Sequence, residues 1–388
     1  MYNPAARPSL NLAFLWPAFA AAAAGDMASL VAKQLAEFAV GGANGGAARE
    51  PPWTTPHTVA LELKTVRLRD FTIGPREQPP TLLCAPFALH SAAVADLVVE
   101  HSLVAALQQA GLRHLFVTDW HSAATDMRFL GIDDYVADLN VLVDTMGAPV
   151  DLIGLCQGGW MSLIYAARFP EKVRKLVLAG APIDTAAAPS ALSALAESSP
   201  LAIYRDLVRL GNGLLPGRNV LKFWGSDAVD ADDMRELLQT DQAIASPGFA
   251  RLQAGFENWN AFTVDLPGKF FLECVDKLYK RNELATGRFV ALGKTINLAS
   301  VTIPLFLLAA RDDELVALPQ LFAVERLVGT PTQNLHKAIA PCRHVGLFIG
   351  KRTLEDIWPG IAHWLLEAPA DPLSDGVSQM ERTRWSEP

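Results

Sequence analysis

The chain has 388 residues, of which 51% are hydrophobic and 19% are charged, a balance that is typical of a globular protein with a large core and that excludes a disordered chain. A formal net charge of −8, without any long run of Lys and Arg, excludes nucleic acid as an expected partner. The four cysteines lie far apart, which gives no zinc-site spacing and favours a reducing cytoplasm.

The N-terminal region predicts a helical arm over residues 1–56. Residues 10–25, "LNLAFLWPAFAAAAAG", have the length of a signal-peptide apolar region, but their positive flank consists of Arg7 alone, so a signal peptide is the alternative. The next stretch places apolar residues at helical spacing behind Asp26, and a Gly, Ala and Pro-rich linker follows at 41–56. The sequence leaves open whether the arm packs on its own body, on a polymer surface or on a second subunit of a homo-oligomer.

The body begins near residue 57, and strands and helices alternate from there to residue 184. The predicted elements are, in chain order, a half-exposed strand "TVALELKTVRL", a buried strand at 81–86, a helix at 91–111, a strand at 114–119, a helix at 133–147, a strand at 150–155, a helix after Cys156 and a strand at 175–180. Apolar strands separated by helices predict a parallel sheet that is covered on both faces.

The alternation stops over residues 185–290, where helical patches occur without a clear buried strand, and we predict an inserted helical cap there. It returns with a strand at 303–310, a helix at 318–328, a strand near 334–340 and a closing helix at 353–367. Residues 368–388 are polar and are expected to form a flexible tail. No stretch has the length and purity of a transmembrane helix.

The stretch "DLIGLCQGGW" reads as a strand, a tight turn and a helix, with one thiol at the corner. Its frame G-x-C-x-G is that of a nucleophile elbow in which sulfur replaces oxygen, and the N-terminus of the following helix favours a thiolate. We therefore predict that Cys156 is a nucleophile. The alternative is an inert, buried cysteine.

A nucleophile on such an elbow takes its acid and then its histidine from later in the chain. Asp312 and Asp313 follow a predicted strand, and the apolar pair after "ARDDE" favours Asp313 as the acid. His344 lies in a loop after the last predicted strand, which favours it as the general base over an ordinary surface histidine. The predicted fold is an α/β-hydrolase fold, with a mostly parallel sheet from 57–184 and 291–367.

Two backbone amides are expected to form the oxyanion hole. One belongs to Gln157, directly after the nucleophile, and the other to Phe87 or Ala88 in the loop "CAPFALHSA". Candidate pocket residues at the same end of the sheet are His90, His121 and Trp160.

Together these residues resemble the polyhydroxyalkanoate enzyme group, whose synthases and some intracellular depolymerases use a Cys/Asp/His triad on an α/β-hydrolase fold. The most specific pieces are "DLIGLCQGG", "LVLAGAPID", "YKRNELATGRFVALGKTINLASVTIPLFLLAARDDELV" and "HVGLFIG". The resemblance implies Cys156 as nucleophile, Asp313 as acid and His344 as base. It further implies a cytoplasmic enzyme at storage granules, acting on polyester or 3-hydroxyacyl-CoA, with no metal and with CoA as the only cofactor-like molecule, either acyl acceptor or part of the substrate.

Two branches of this group compete. The glycine pair after Gln157, "EHSLVAAL" and "NELATGRFVALGKTINLASV" are similar to synthases, whereas the arm, "APFALH", "VTDWHSA", Gln157 and "HVGLFIGKRTLEDIWPGIAHWL" are similar to depolymerases. Synthases generally carry a histidine after the acid, and Glu314 stands there instead. The sequence therefore favours an intracellular depolymerase, with a synthase as the alternative. A small-molecule thiol hydrolase resembling dienelactone hydrolase and a non-catalytic granule protein are further alternatives.

Overall fold

The computed structural model of the protein describes residues 49–219 and 231–367. The helix predicted behind Asp26, the first half of the predicted linker and the predicted tail at 368–388 lie outside these ranges. Within them, no helix is long and apolar enough to cross a membrane.

The central element is an eight-stranded sheet in the order β1-β2-β4-β3-β5-β6-β7-β8. Its strands are β1 Thr58–Glu62, β2 Val66–Asp70, β3 Thr81–Cys84, β4 Leu115–Trp120, β5 Val150–Leu155, β6 Val173–Ala179, β7 Leu305–Ala310 and β8 Leu335–Ala340. β1 and β2 are antiparallel to each other, β2 is antiparallel to β4, and every later pairing is parallel. The predicted mostly parallel sheet is confirmed.

Helices cover both faces of this sheet. Along β5, Leu152 and Ile153 point to opposite faces and enter two separate hydrophobic clusters, as the pleat requires. The described helices are α1 Leu103–Gln109, α2 Ile132–Met146, α3 Gln157–Arg168, α4 Ala191–Ser198, α5 Leu201–Leu210, α6 Ala231–Leu238, α7 Pro247–Ala261, α8 Gly268–Glu273, α9 Leu318–Phe322, α10 Val324–Leu327, α11 Gly346–Ile349, α12 Lys351–Asp356 and α13 Trp358–Leu366. α8 continues directly into a π-helix over Cys274–Lys280.

The stretch predicted as one half-exposed strand, "TVALELKTVRL", forms an antiparallel hairpin of β1 and β2. The reversal is closed by a hydrogen bond from the Leu63 amide to the Val66 carbonyl oxygen at 2.9 Å. The turn contains neither Gly nor Pro, and alternation continues through it. Periodicity alone therefore did not locate the reversal.

The helix predicted over 91–111 is wrong in its first half. The chain forms a 3₁₀ helix, Ala92–Ala95, and two short strands before α1 begins at Leu103. Asp96 explains the break: its fully buried carboxylate accepts hydrogen bonds from the Thr54 hydroxyl and the Thr55 amide, both at 2.8 Å, and from the Ser102 hydroxyl. A buried carboxylate must be satisfied in this way, and a continuous helix would not bring these donors to it.

The two later predicted helices are each divided. The one at 318–328 forms α9 and α10, and the one at 353–367 forms α12 and α13, with Pro359 in the first turn of α13. Proline fits that position because it has no amide hydrogen to donate to the preceding turn.

Between β6 and β7 the described chain forms α4 to α8 and strands of only two residues. Two hydrogen bonds tie the start of this segment to residues well before β7: Asn282 Nδ2 donates to Asp184 Oδ1 at 2.7 Å, and the Thr185 hydroxyl donates to the Leu278 carbonyl oxygen at 2.7 Å. Arg326 of α10 forms an ion pair with Asp184. The exact bounds of a separate cap, 185–290, stay a prediction.

Candidate active site

Cys156 lies where β5 ends and α3 begins. Its backbone has φ +49° and ψ −115°, a conformation that L-residues rarely adopt and that costs about 1–3 kcal/mol. The amide of Cys156 donates to the Ala179 carbonyl oxygen of β6 at 2.8 Å, which helps to hold the strained turn in place. The thiol is thereby fixed at the N-terminus of a twelve-residue helix, as the elbow motif predicts.

Three glycines allow this turn to pack. A Cβ on Gly158 would lie 2.1 Å from the Cys84 carbonyl oxygen, a Cβ on Gly154 would lie 2.5 Å from Gly159 Cα, and a Cβ on Gly159 would lie 2.4 Å from Ala181 Cβ. All three distances are shorter than real Cβ contacts. Each glycine of "GLCQGG" is therefore required by a close approach: Gly158 to β3, Gly154 to α3 and Gly159 to Ala181, which follows β6.

Asp313 and His344 form a buried pair at the ends of β7 and β8. His344 Nδ1 lies 2.8 Å from Asp313 Oδ2, and their side chains are 1% and 2% exposed. The other carboxylate oxygen of Asp313 accepts hydrogen bonds from the amides of Leu315 at 2.9 Å and Val316 at 2.8 Å. Asp312 is exposed, so the geometry selects Asp313 as the residue that orients the imidazole.

The electrostatics of His344 connect this pair to Cys156. Burial by itself would lower the pKa of His344, yet Asp313 and Cys156 outweigh it and raise that pKa well above its usual value. His344 Nε2 makes no other hydrogen bond within the described residues. The arrangement allows His344 to take the thiol proton while Asp313 stabilises the resulting imidazolium.

A small cavity of about 40 Å³ lies beside Cys156. It is lined by Pro86, Ala88, His90, Ser91, Val94, Cys156, Trp259, His344, Val345 and Phe348. Typical ligand pockets measure about 300–1,000 Å³. The cavity is therefore much smaller than a pocket that would enclose a whole ligand.

The predicted oxyanion residues flank this cavity. Pro86 and Ala88 line it, whereas the Phe87 ring is buried on the other side of the loop and stacks on Tyr135 at a centroid distance of 4.7 Å. Gln157 is the first residue of α3. Gln157 directly follows Cys156 in the chain, and Phe87 stands between two residues that line the cavity. Their role as an oxyanion hole stays a prediction.

Of the three predicted pocket residues, His90 alone lines the cavity. His121 lies at the hairpin, where its amide donates to the Thr65 carbonyl oxygen and its Nε2 is 3.1 Å from Glu62 Oε1. Trp160 is 1% exposed in the hydrophobic core on the other face of the sheet. Pairing with β1 and packing within the core take these two side chains away from Cys156, which corrects their predicted pocket roles.

Sequence reasoning missed several lining residues, among them Trp259 of α7. Its ring lies 4.6 Å from the His90 ring, and its Nε1 donates to the Ser91 carbonyl oxygen at 3.0 Å. The signal was an aromatic residue inside a predicted cap helix, which on pattern alone is indistinguishable from a core residue of the cap. Among the described residues, no group of His, Cys, Asp and Glu side chains could hold a metal ion.

Comparison with known proteins identifies the family of this chain. The chain matches the family model of the alpha/beta hydrolase fold over residues 96–351. The poly(3-hydroxyalkanoate) polymerase subunit PhaC of Synechocystis sp. is 26% identical over 329 residues, which cover 81% of this chain and 85% of that protein. The subunit of the same name from Allochromatium vinosum is 26% identical over 306 residues, covering 76% and 82%. A solved monoacylglycerol lipase from Paleococcus ferrophilus has a TM-score of 0.48 and 14% identity, covering 74% of this chain and 96% of the lipase.

Proposed function

Since the chain belongs to the alpha/beta-hydrolase fold family and is related to polyhydroxyalkanoate polymerases, we propose that it is a thiol acyltransferase that polymerises 3-hydroxyacyl-CoA. The observation that carries the proposal is the buried Asp313–His344 pair, at 2.8 Å, next to a cysteine on a nucleophile elbow. The sequence by itself favours a depolymerase, but the polymerase relatives match more than three quarters of the chain and favour the synthase alternative.

The reaction begins when the Cys156 sulfur attacks the thioester carbonyl carbon of 3-hydroxyacyl-CoA. His344 takes the thiol proton and passes it to the departing CoA sulfur, so that a C–S bond to Cys156 forms and the C–S bond to CoA breaks. The hydroxyl of a second hydroxyacyl unit then loses its proton to His344 and attacks the acyl-Cys156 carbonyl. An ester bond forms, the C–S bond between the acyl group and Cys156 breaks, and Cys156 recovers its proton from His344. The amides of Gln157 and Phe87 stabilise the oxyanion in both steps.

A thiol suits this reaction better than a hydroxyl does. Transfer from CoA to Cys156 exchanges one thioester for another and is nearly balanced in free energy, whereas the following transfer to an alcohol releases the free energy of a thioester relative to an ester. A serine at this position would form an ester in the first step, and the second step would then lose that driving force. The thiol therefore supports acyl transfer from CoA over plain hydrolysis.

The size of the cavity supports a short monomer. The cavity of about 40 Å³ leaves little space beside Cys156, so each methylene added to the acyl side chain would have to displace lining residues such as Trp259 or Phe348. We therefore name 3-hydroxybutyryl-CoA as the first substrate to test.

The experiment runs purified protein on 3-hydroxybutyryl-CoA and, in parallel, on amorphous polyester granules. We expect free CoA thiol to accumulate together with turbidity, and Cys156→Ala to lower the rate by several orders of magnitude. Cys274→Ala is the matched control, because burial raises the pKa of the Cys274 thiol well above its usual value and this residue lies outside the Cys156 cavity.

Two results would contradict the proposal. Release of soluble 3-hydroxybutyrate from granules, without CoA release from the thioester, would favour a depolymerase in which Cys156, Asp313 and His344 keep their roles. Near-normal turnover by Cys156→Ala would refute the thiol mechanism itself.

A further inference from the structure

The cavity beside Cys156 is apolar apart from four side chains. Of its ten lining residues six are apolar, and Cys156 and His344 take part in the proposed chemistry. The remaining polar residues are His90 and Ser91, which follow the predicted oxyanion residues on the same loop. A substrate oxygen that enters this cavity and is not held by the oxyanion amides therefore has few available partners.

Ser91 has an unused hydroxyl. It occupies the N-cap position of the 3₁₀ helix Ala92–Ala95, where a serine side chain usually accepts an amide hydrogen bond, yet its side chain makes no such bond. The residue is 7% exposed, and its Oγ has no hydrogen-bond partner within residues 49–219 and 231–367. A buried hydroxyl without a partner costs stability, and such a group calls for an explanation.

The backbone around this hydroxyl is held in place. The Ser91 carbonyl oxygen accepts the Trp259 Nε1 hydrogen bond at 3.0 Å, and His90 forms an isolated antiparallel bridge with Thr263. The carbonyl oxygen of Leu89, the residue before His90, accepts a hydrogen bond from the Val264 amide at 2.8 Å. These contacts from the segment between β6 and β7 fix the loop backbone, so Ser91 is held beside the cavity before a ligand arrives.

We propose that the Ser91 hydroxyl binds the 3-hydroxyl group of the acyl chain on Cys156 and so makes the site selective for 3-hydroxyacyl groups. This inference rests on the proposed function and adds a selectivity determinant to it. A short 3-hydroxyacyl group has two oxygens: its carbonyl oxygen is directed to the Gln157 and Phe87 amides, and its 3-hydroxyl would otherwise be desolvated against Val94, Val345 or Phe348. Ser91 offsets that desolvation with one hydrogen bond.

The test compares 3-hydroxybutyryl and butyryl p-nitrophenyl esters, which differ only in the 3-hydroxyl, by the rate at which each acylates Cys156. The same comparison is made with the two CoA thioesters. We expect Ser91→Ala to reduce the hydroxybutyryl-to-butyryl rate ratio about tenfold, mainly by slowing the hydroxybutyryl substrate. Because the replaced hydroxyl has no partner in the free protein, the melting temperature should be maintained or rise.

Ser162→Ala is the control, because Ser162 is fully buried in α3 and does not line the cavity. It should leave the substrate ratio unchanged. An unchanged ratio in Ser91→Ala, or a wild-type protein that neither ester acylates at Cys156, would overturn the inference. A reduced ratio on the aryl esters without any CoA release from the thioesters would support Ser91 and refute the synthase proposal, so the two failures are distinguishable.

Discussion

Gly158→Ala tests whether the elbow depends on the close approach of β3. The added Cβ would lie 2.1 Å from the Cys84 carbonyl oxygen and 2.9 Å from the Ala85 carbonyl oxygen. Both obstacles are backbone atoms, which cannot rotate away as the end of a side chain can. To restore the 3.0 Å that real Cβ contacts require, the elbow and β3 must separate by about 1 Å.

That separation sets the expected magnitude. Overpacking of this kind costs about 1–3 kcal/mol of stability, so the folded protein should survive with a melting temperature a few degrees lower. A displacement of about 1 Å between a nucleophile and its base or oxyanion donors costs about 10²-fold in rate. We therefore expect a large loss of acyl transfer in a protein that is still folded.

The assay follows acyl transfer from 3-hydroxybutyryl-CoA, iodoacetamide alkylation of Cys156 and thermal unfolding by circular dichroism. Gly360→Ala is the control, since it lies in α13 with no atom within 4 Å of its added Cβ and should stabilise the helix by about 0.5–1 kcal/mol without affecting activity. If Gly158→Ala transfers acyl groups and alkylates at wild-type rates, the packing argument for the elbow is wrong.

Two further predictions concern titratable groups. Asp313→Asn should lower the pKa of His344, because Asp313 raises that pKa most, and it should reduce turnover by about 10³–10⁴-fold. Asp312 is exposed, so the control Asp312→Asn should change neither the turnover rate nor the pH profile of Cys156 alkylation. His101 is 1% exposed, and burial lowers its pKa, so below about pH 6.5 the unfolded chain binds a proton that the folded protein does not. Stability should therefore fall as the pH decreases through that range, and urea unfolding at several pH values should show a smaller loss for His101→Asn than for the exposed control His363→Asn.

Much of the candidate site was predictable because each of its residues is marked by its own neighbours in the sequence. The frame around Cys156 specifies a turn that only glycines permit, and the order of acid and histidine follows from the order of the strands that carry them. Asp313 could be preferred over Asp312 on pattern alone, and the structure gives the reason: two amides, those of Leu315 and Val316, hold one of its carboxylate oxygens.

The features that the sequence did not predict depend on contacts between segments that are distant in the chain. Asp96 interrupts a regular helical pattern only because Thr54, Thr55 and Ser102 converge on its carboxylate, and no local signal announces that convergence. Trp259 likewise reaches the cavity from a helix more than a hundred residues after Cys156. Hydrophobic periodicity indicates that such residues are buried but not what they are buried against.

The tie between Asp184 and Asn282 has a consequence for how this architecture can be altered. Asp184 and Asn282 are 98 positions apart in the chain, yet a 2.7 Å hydrogen bond joins their side chains, so the segment between them leaves and returns at nearly the same point. Closing a loop depends only weakly on its length, so a shorter or unrelated segment grafted between these two residues would require no displacement of either strand. Selectivity for the acyl group, through residues such as Trp259, can therefore be exchanged as one module, provided that the new segment restores the contacts to Leu89, His90 and Ser91 that hold the loop beside the cavity.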